Sequence, residues 1–103
     1  MNAQSSHTRK LLTVVTEAAL EAVLTRDLER LGASGYTIIN ARGKGSRGVR
    51  DAGWETDANI RIEVVCDEPI ARRIAAHLQQ RYYDDYAMIL LLSDVEVLRP
   101  GKF

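Results

Sequence analysis

YTIINARGKGSRGVRDAGWETDANIRIEVVC, Tyr36 to Cys66, is the stretch on which the fold turns. Its two ends read as strands. YTIINAR, Tyr36 to Arg42, is rich in β-branched and aromatic residues. In ANIRIEVVC, Ala58 to Cys66, Ile60, Ile62 and Val64 alternate with Arg61, Glu63 and Val65, the pattern of a half-buried strand. Between them GKGSRGVRDAGWET, Gly43 to Thr56, is nearly free of apolar residues and cannot form core. It is too long for a tight hairpin turn, and loops of this length are usually functional or mobile. Glycine lets a backbone approach a ligand closely, and successive N–H groups in such a turn make a concavity for anions. Lys44, Arg47 and Arg50 add charge and donors suited to phosphate or carboxylate. The composition therefore predicts an anion-binding loop, and admits equally a solvated hairpin tip whose charges keep it soluble.

Working outward, residues 1–7 are small and polar and read as a loosely ordered tail containing His7. RKLLTVV, Arg9 to Val15, predicts the first strand, with Leu11 and Val15 on one face and Leu12 and Val14 on the other. Thr16 is the expected N-cap of a helix in which Leu20, Val23, Leu24, Leu28 and Leu31 recur at helical spacing, stopped by Gly32 and Gly35. Beyond Cys66, Asp67 is the expected cap of a second helix. Pro69 lies in its first turn, and Ile70, Ile74, Leu78 and Tyr82 form its stripe. AMILLL, Ala87 to Leu92, predicts a fourth strand, and DVEVLRP, Asp94 to Pro100, a short fifth. The order β-α-β-β-α-β with a C-terminal addition predicts a ferredoxin-like α+β sandwich, one domain over residues 1–103. Two helices cover one face of such a sheet. The first and fourth strands are apolar on both faces, so the other face calls for a partner chain and hence a homo-oligomer.

Formal net charge is zero, which gives no general attraction to nucleic acid or anionic membranes. The N-terminus lacks the apolar stretch of a secretion signal, and no apolar run reaches a membrane-spanning length, so a cytoplasmic protein without membrane insertion is expected. The single cysteine, Cys66, ends an apolar strand and reads as a buried structural thiol. His77 lies beside a helical stripe and reads as a partly exposed helix residue rather than a metal ligand. Asp84 and Asp85 have no converging partners for catalysis or metal binding and read as a solvated helix end. Tyr82, Tyr83 and Tyr86 read as packing residues, and Trp54 as a partner contact or a ring stacked on a neighbouring subunit.

GYTIINARGKGSRGVRDAG (Gly35 to Gly53), ANIRIEVV (Ala58 to Val65), RYYDDYAMI (Arg81 to Ile89) and VEVL (Val95 to Leu98) together resemble the PII superfamily of signalling proteins. The resemblance is nearer to the PII-like branch linked to bicarbonate uptake, the SbtB and carboxysome-associated groups. It implies a homotrimer of ferredoxin-like subunits with nucleotide sites in the clefts between them. The loop over 43–57 would be the T-loop, which orders or disorders with the bound ligand and meets a partner protein, here a bicarbonate transporter or a carboxysome component. Members of the branch sense adenine nucleotides, variously AMP, ADP and cyclic AMP, and some bind bicarbonate. By position, the resemblance puts Gly35, Tyr36 and Thr37 in the adenine pocket, with Val65 offering backbone groups. Gly43, Lys44, Gly45 and Ser46 would approach the phosphate, with Arg47 and Arg50 stabilising it. Asp85, Tyr86, Ala87 and Arg99 would come from the neighbouring subunit's side.

Three departures limit the resemblance. RYYDDY stands where ordinary PII proteins carry a glycine- and lysine-rich second phosphate loop, which puts tight ATP binding and the coupled response to 2-oxoglutarate in doubt. The loop lacks the tyrosine those regulators modify. The sequence stops at Phe103, so the redox-controlled behaviour tied to the cysteine-bearing extension of some SbtB proteins is not expected. A non-enzymatic sensor, with neither catalytic cofactor nor metal, is the first reading. A slow nucleotide hydrolase using the same pocket is an alternative, but no nucleophile–base pair supports it. The β-α-β-β-α-β order also serves RNA-recognition domains, yet the central strands offer Ile and Val instead of aromatic rings to stack on bases.

Overall fold

The computed structural model describes residues 7–43 and 58–103. In chain order the elements are β1 (His7–Glu17), a 3-10 turn (Ala18–Leu20), α1 (Glu21–Leu31), β2 (Thr37–Ala41), β3 (Asn59–Cys66), α2 (Glu68–Tyr82), β4 (Ile89–Val97) and a closing 3-10 turn (Pro100–Lys102). The strands form one antiparallel sheet in the order β2-β3-β1-β4. The ferredoxin-like fold is thus present, with the two helices on one face.

Alternation in the strands becomes two chemically different faces. Leu12, Val14 and Thr16 from β1 and Ile60, Ile62, Val64 and Cys66 from β3 are buried under the helices, against Leu24, Leu28, Ala71, Ile74 and Leu78. Each fully buried Leu or Ile contributes roughly 1.5–3 kcal/mol relative to exposure, so this layer holds the domain together. Burial raises the pKa of the Cys66 thiol, with the neighbouring Asp67 carboxylate adding to the effect, which keeps it protonated and inert. On the other face, Leu11, Val15 and Val65 are half-buried, while Ile39, Ile89 and Leu91 are 36%, 51% and 56% exposed. The register sets Ile89 opposite Val15 and Leu91 opposite Thr13, so this apolar surface is continuous across β1 and β4.

Strand and helix limits depart from the sequence reading at definite places. Thr16 is not a helix cap. It pairs with Ile60, its side chain is buried, and its hydroxyl donates to Glu17 Oε1 at 2.8 Å. A β-branched residue with a cross-strand partner gains more in the ladder than at a helix start. The chain enters α1 through the 3-10 turn instead, where Ala18 N–H donates to Ala58 O at 2.8 Å. His7, placed in the tail by sequence, begins β1 because β4 runs far enough to pair Val97 with it. The separate fifth strand does not form, since β4 continues through Ser93 and Asp94 opposite Leu11 and Lys10. Lys10 Nζ meets Asp94 Oδ1 at 2.6 Å, so the edge strand β4 accommodates Asp94 and runs on through it.

The helix stops behave as their residues dictate. Asp67 caps α2, its carboxylate accepting from Ile70 N–H at 3.3 Å. At the end of α1, Gly32 takes φ +111°; its N–H donates to Glu29 O and Ala33 N–H donates to Leu28 O, the paired bonds of a Schellman closure. A Cβ at Gly32 would meet only ordinary contacts, Arg73 Nη1 at 3.6 Å and Ile70 Cδ1 at 3.7 Å. The penalty of Gly32→Ala is therefore the left-handed backbone alone, about 1–2 kcal/mol. A urea titration should show the unfolding free energy falling by that amount, seen as a lower midpoint with an unchanged slope; an unaltered midpoint would contradict the assignment.

Candidate functional site

Where β2 begins, the ladder with β3 starts at Thr37 opposite Glu63, leaving the β2-facing edge of β3 uncovered at Val65. A cleft of about 450 Å³ opens there, lined by Ser34, Gly35, Tyr36, Thr37, Glu63, Val65, Lys102 and Phe103. Gly35, Tyr36, Thr37 and Val65, the residues assigned to an adenine pocket, are therefore together. The cleft joins an exposed strand edge able to offer main-chain groups, a threonine hydroxyl, an aromatic ring and a cation. Tyr36 is anchored by its hydroxyl donating to Glu29 Oε2 at 3.4 Å. Glu63 is partly balanced by Arg61, whose Nε stands 3.4 Å from its Oε2. A Cβ at Gly35 would meet nothing within 4 Å, so the space beside this glycine is open to a ligand.

Lys102 and Phe103 were not singled out in the sequence, where Pro100–Gly101 reads only as the end of a strand. The closing turn brings them to the cleft through two main-chain bonds, Lys102 N–H to Arg99 O and Phe103 N–H to Pro100 O, both 3.1 Å. A cation and a ring after a Pro-Gly turn were the available signal. Arg99 caps this turn, so within one chain it lies at the start of the turn that carries the cleft-lining pair and not beside Asp85, Tyr86 and Ala87.

Gly43, Asp85, Tyr86 and Ala87 stand elsewhere. Ala41 is opposite Asn59, Glu17 is opposite Asn59 and Val15 is opposite Ile89, so the end of β2 and the start of β4 share one end of the sheet. Thr37 is separated from Ala41 by about 13 Å at the rise of a strand, and Gly43 lies beyond. The turn from Tyr83 to Met88 leaves α2 on the β4 side. Its Asp85 and Tyr86 N–H groups both donate to Tyr82 O, at 3.1 and 3.0 Å. Tyr86 packs edge-on to Tyr82, ring centroids 5.9 Å apart, yet is 40% exposed. The candidate residues thus fall into two groups at opposite ends of the sheet. Lys44, Gly45, Ser46, Arg47 and Arg50, and Trp54 with them, lie outside the described residues.

A smaller cleft of about 260 Å³ between α2 and β4, lined by Arg72, Gln79, Tyr83, Leu90 and Leu92 among others, holds none of the candidate residues. Its arginine is already engaged, Arg72 Nε donating to Glu68 Oε2 at 2.9 Å. Among the described residues no group of three or more His, Cys, Asp or Glu is placed to hold a metal ion. No described helix is long and apolar enough to cross a membrane.

The sequence model of the family described as "Nitrogen regulatory protein P-II" matches residues 9–102. Among solved structures, a PII-like signaling protein of Thermus thermophilus is 44% identical, with a TM-score of 0.81 over 97% of this chain and 99% of that one. CPII of Thiomonas intermedia K12, a nitrogen regulatory PII-like protein solved bound to ADP, AMP and bicarbonate, is 30% identical with a TM-score of 0.81 over 98% of both chains. The same protein solved with ADP and bicarbonate matches at 29% identity, with a TM-score of 0.82 over 98% of this chain and 99% of that one.

Proposed function

This chain belongs to the nitrogen regulatory protein P-II family, and on that premise we propose that it is a non-enzymatic cytoplasmic sensor of AMP and ADP whose nucleotide site is shared between neighbouring copies in a homotrimer. The carrying observation is the cleft that gathers Gly35, Tyr36, Thr37 and Val65 while Gly43 and Asp85–Ala87 stand at the other end of the sheet. One small ligand cannot bridge both groups inside one chain. Two chains placed side by side can oppose them, and the uncovered apolar face supplies a reason to associate. In this arrangement the cleft receives the base, with Lys102 at its rim and Arg99 at the start of the same turn. The neighbour's Gly43, Lys44, Gly45 and Ser46 approach the phosphates, Arg47 and Arg50 neutralise them, and Asp85, Tyr86 and Ala87 close the far side.

Bicarbonate is proposed as a second ligand because CPII, 30% identical, is solved with it alongside ADP and AMP. If the two ligands share a site, their coupling is reciprocal, and bicarbonate tightens nucleotide binding by the factor by which nucleotide tightens bicarbonate. The signal leaves through the loop over 43–57 to a bicarbonate transporter or a carboxysome component, which places the protein in the control of inorganic-carbon uptake.

Calorimetric titration with AMP, ADP, ATP and cyclic AMP, each with and without bicarbonate, tests this reading. AMP and ADP are expected to bind with one site per chain, with higher affinity in bicarbonate and no product released. ATP is expected to bind more weakly, because no second glycine- and lysine-rich phosphate loop is present. Absence of heat from any adenine nucleotide would end the proposal, and steady release of product would replace the sensor with a hydrolase.

A further inference from the structure

A buried carboxylate sits between the two helices, away from the cleft. Asp27 of α1 lies within the apolar stripe of that helix and is 4% exposed. Both of its oxygens are engaged: Oδ1 accepts from Arg30 Nη2 at 3.0 Å, and Oδ2 accepts from the Tyr82 hydroxyl at 2.8 Å. His77 Nε2, buried and without a hydrogen-bond partner, stands 3.6 Å from the same Oδ2. Such a group is seldom kept for stability alone, since well-packed apolar residues in its place are often neutral or stabilising. A buried polar set can instead fix position.

What it fixes follows from the hydrogen bonds at the end of α2. Tyr82 is the last residue of the helix, and its single carbonyl receives both Asp85 N–H and Tyr86 N–H. Tyr86 also leans its ring against the Tyr82 ring. The turn therefore hangs from Tyr82, and Tyr82 is held from below by its ring in the core and by its hydroxyl on Asp27. We propose that Asp27, acting through the Tyr82 hydroxyl, is the positioning residue for the turn that carries Asp85, Tyr86 and Ala87 to the ligand. This rests on the reading of that turn as part of the nucleotide site. Burial, and then the hydrogen bond to Asp27, raise the pKa of the Tyr82 hydroxyl, so it keeps the proton it donates. Neither Asp27 nor Tyr82 lines the cleft, so the effect passes through the helix end and the turn that hangs from it.

Tyr82→Phe removes the hydroxyl and keeps the ring, and Asp27→Asn keeps the shape and one acceptor oxygen as a milder second variant. Amide exchange by mass spectrometry and ADP titration are measured on both and on the unchanged chain. In Tyr82→Phe the amides from Tyr83 to Met88 are expected to exchange about tenfold faster, as local opening requires, while those of β1 and β3 move only with global stability. ADP affinity is expected to fall about tenfold, near the loss of one charge-assisted hydrogen bond's ordering effect. Asp27→Asn is expected to show the same pattern at smaller size. Uniform acceleration across the sheet would reduce the contact to a structural one and overturn the proposal. A loosened turn with unchanged ADP affinity would overturn its link to the site, and an unchanged turn would overturn it altogether. If the unchanged chain binds no adenine nucleotide, the reading of the site fails, while the exchange pattern still decides whether Tyr82 holds the turn.

Discussion

Leu91→Lys is expected to leave each chain folded, to hold it as a monomer, and to abolish measurable ADP binding. In the single chain Leu91 is 56% exposed on the uncovered face of β4, opposite Thr13 and close to Ile89. A lysine there can extend into water, so the isolated subunit should change in stability by no more than about 0.5 kcal/mol. In the proposed homotrimer the same ammonium would be enclosed between chains without a partner, at a cost of several kcal/mol per copy, on the order of 3–5 for an uncompensated buried charge. The two costs differ enough to separate assembly from folding. Size-exclusion chromatography with light scattering, circular dichroism and calorimetry would report mass, fold and binding on the same sample. A trimer that survives the substitution would show that this face is not the interface. A monomer that binds ADP as tightly as the parent would show that the cleft beside Gly35 suffices without a neighbour.

The division of the candidate site into two groups was only partly legible in the sequence. Alternation in Ala58–Cys66 placed Ile60, Ile62 and Val64 in the core and Val65 on the other face, as observed, because a strand's period of two leaves no third choice. Asp67 was legible as a cap because Pro69 and the apolar stripe behind it permit one helix start. Thr16 carried an equally good capping signal, and lost it to a cross-strand partner, Ile60, that no local reading can see. The same non-local cause joins Asp94 into β4, since the ion pair with Lys10 depends on a strand more than eighty residues away in sequence. Candidate residues could be assigned by position, but their grouping could not. Arg99 shares a turn with Lys102 and Phe103, while Asp85 shares a turn with Tyr86 at the opposite end, and only the register of four strands decides that. Asp27 left a trace of its own, an acid at a core-facing position of an amphipathic helix, where its burial between Arg30, Tyr82 and His77 became readable only once α2 was in place.

Replacing both Arg47 and Arg50 by alanine should weaken ADP binding about a hundredfold, about tenfold for each charge-assisted contact removed. The two residues lie between β2 and β3, outside the described residues, so the expectation rests on charge: Lys44, Arg47 and Arg50 can balance the negative charge of a diphosphate. Adenosine provides the decisive comparison. If the arginines hold phosphate, adenosine binds the double variant as it binds the parent, AMP loses less than ADP, and raising the salt concentration affects the parent more than the variant. If instead the substitutions disturb the cleft, adenosine loses as much as ADP. If ADP and adenosine are both unaffected, the loop is a solvated tip, and the phosphate must be sought against Lys102, the cation that the structure sets in the cleft.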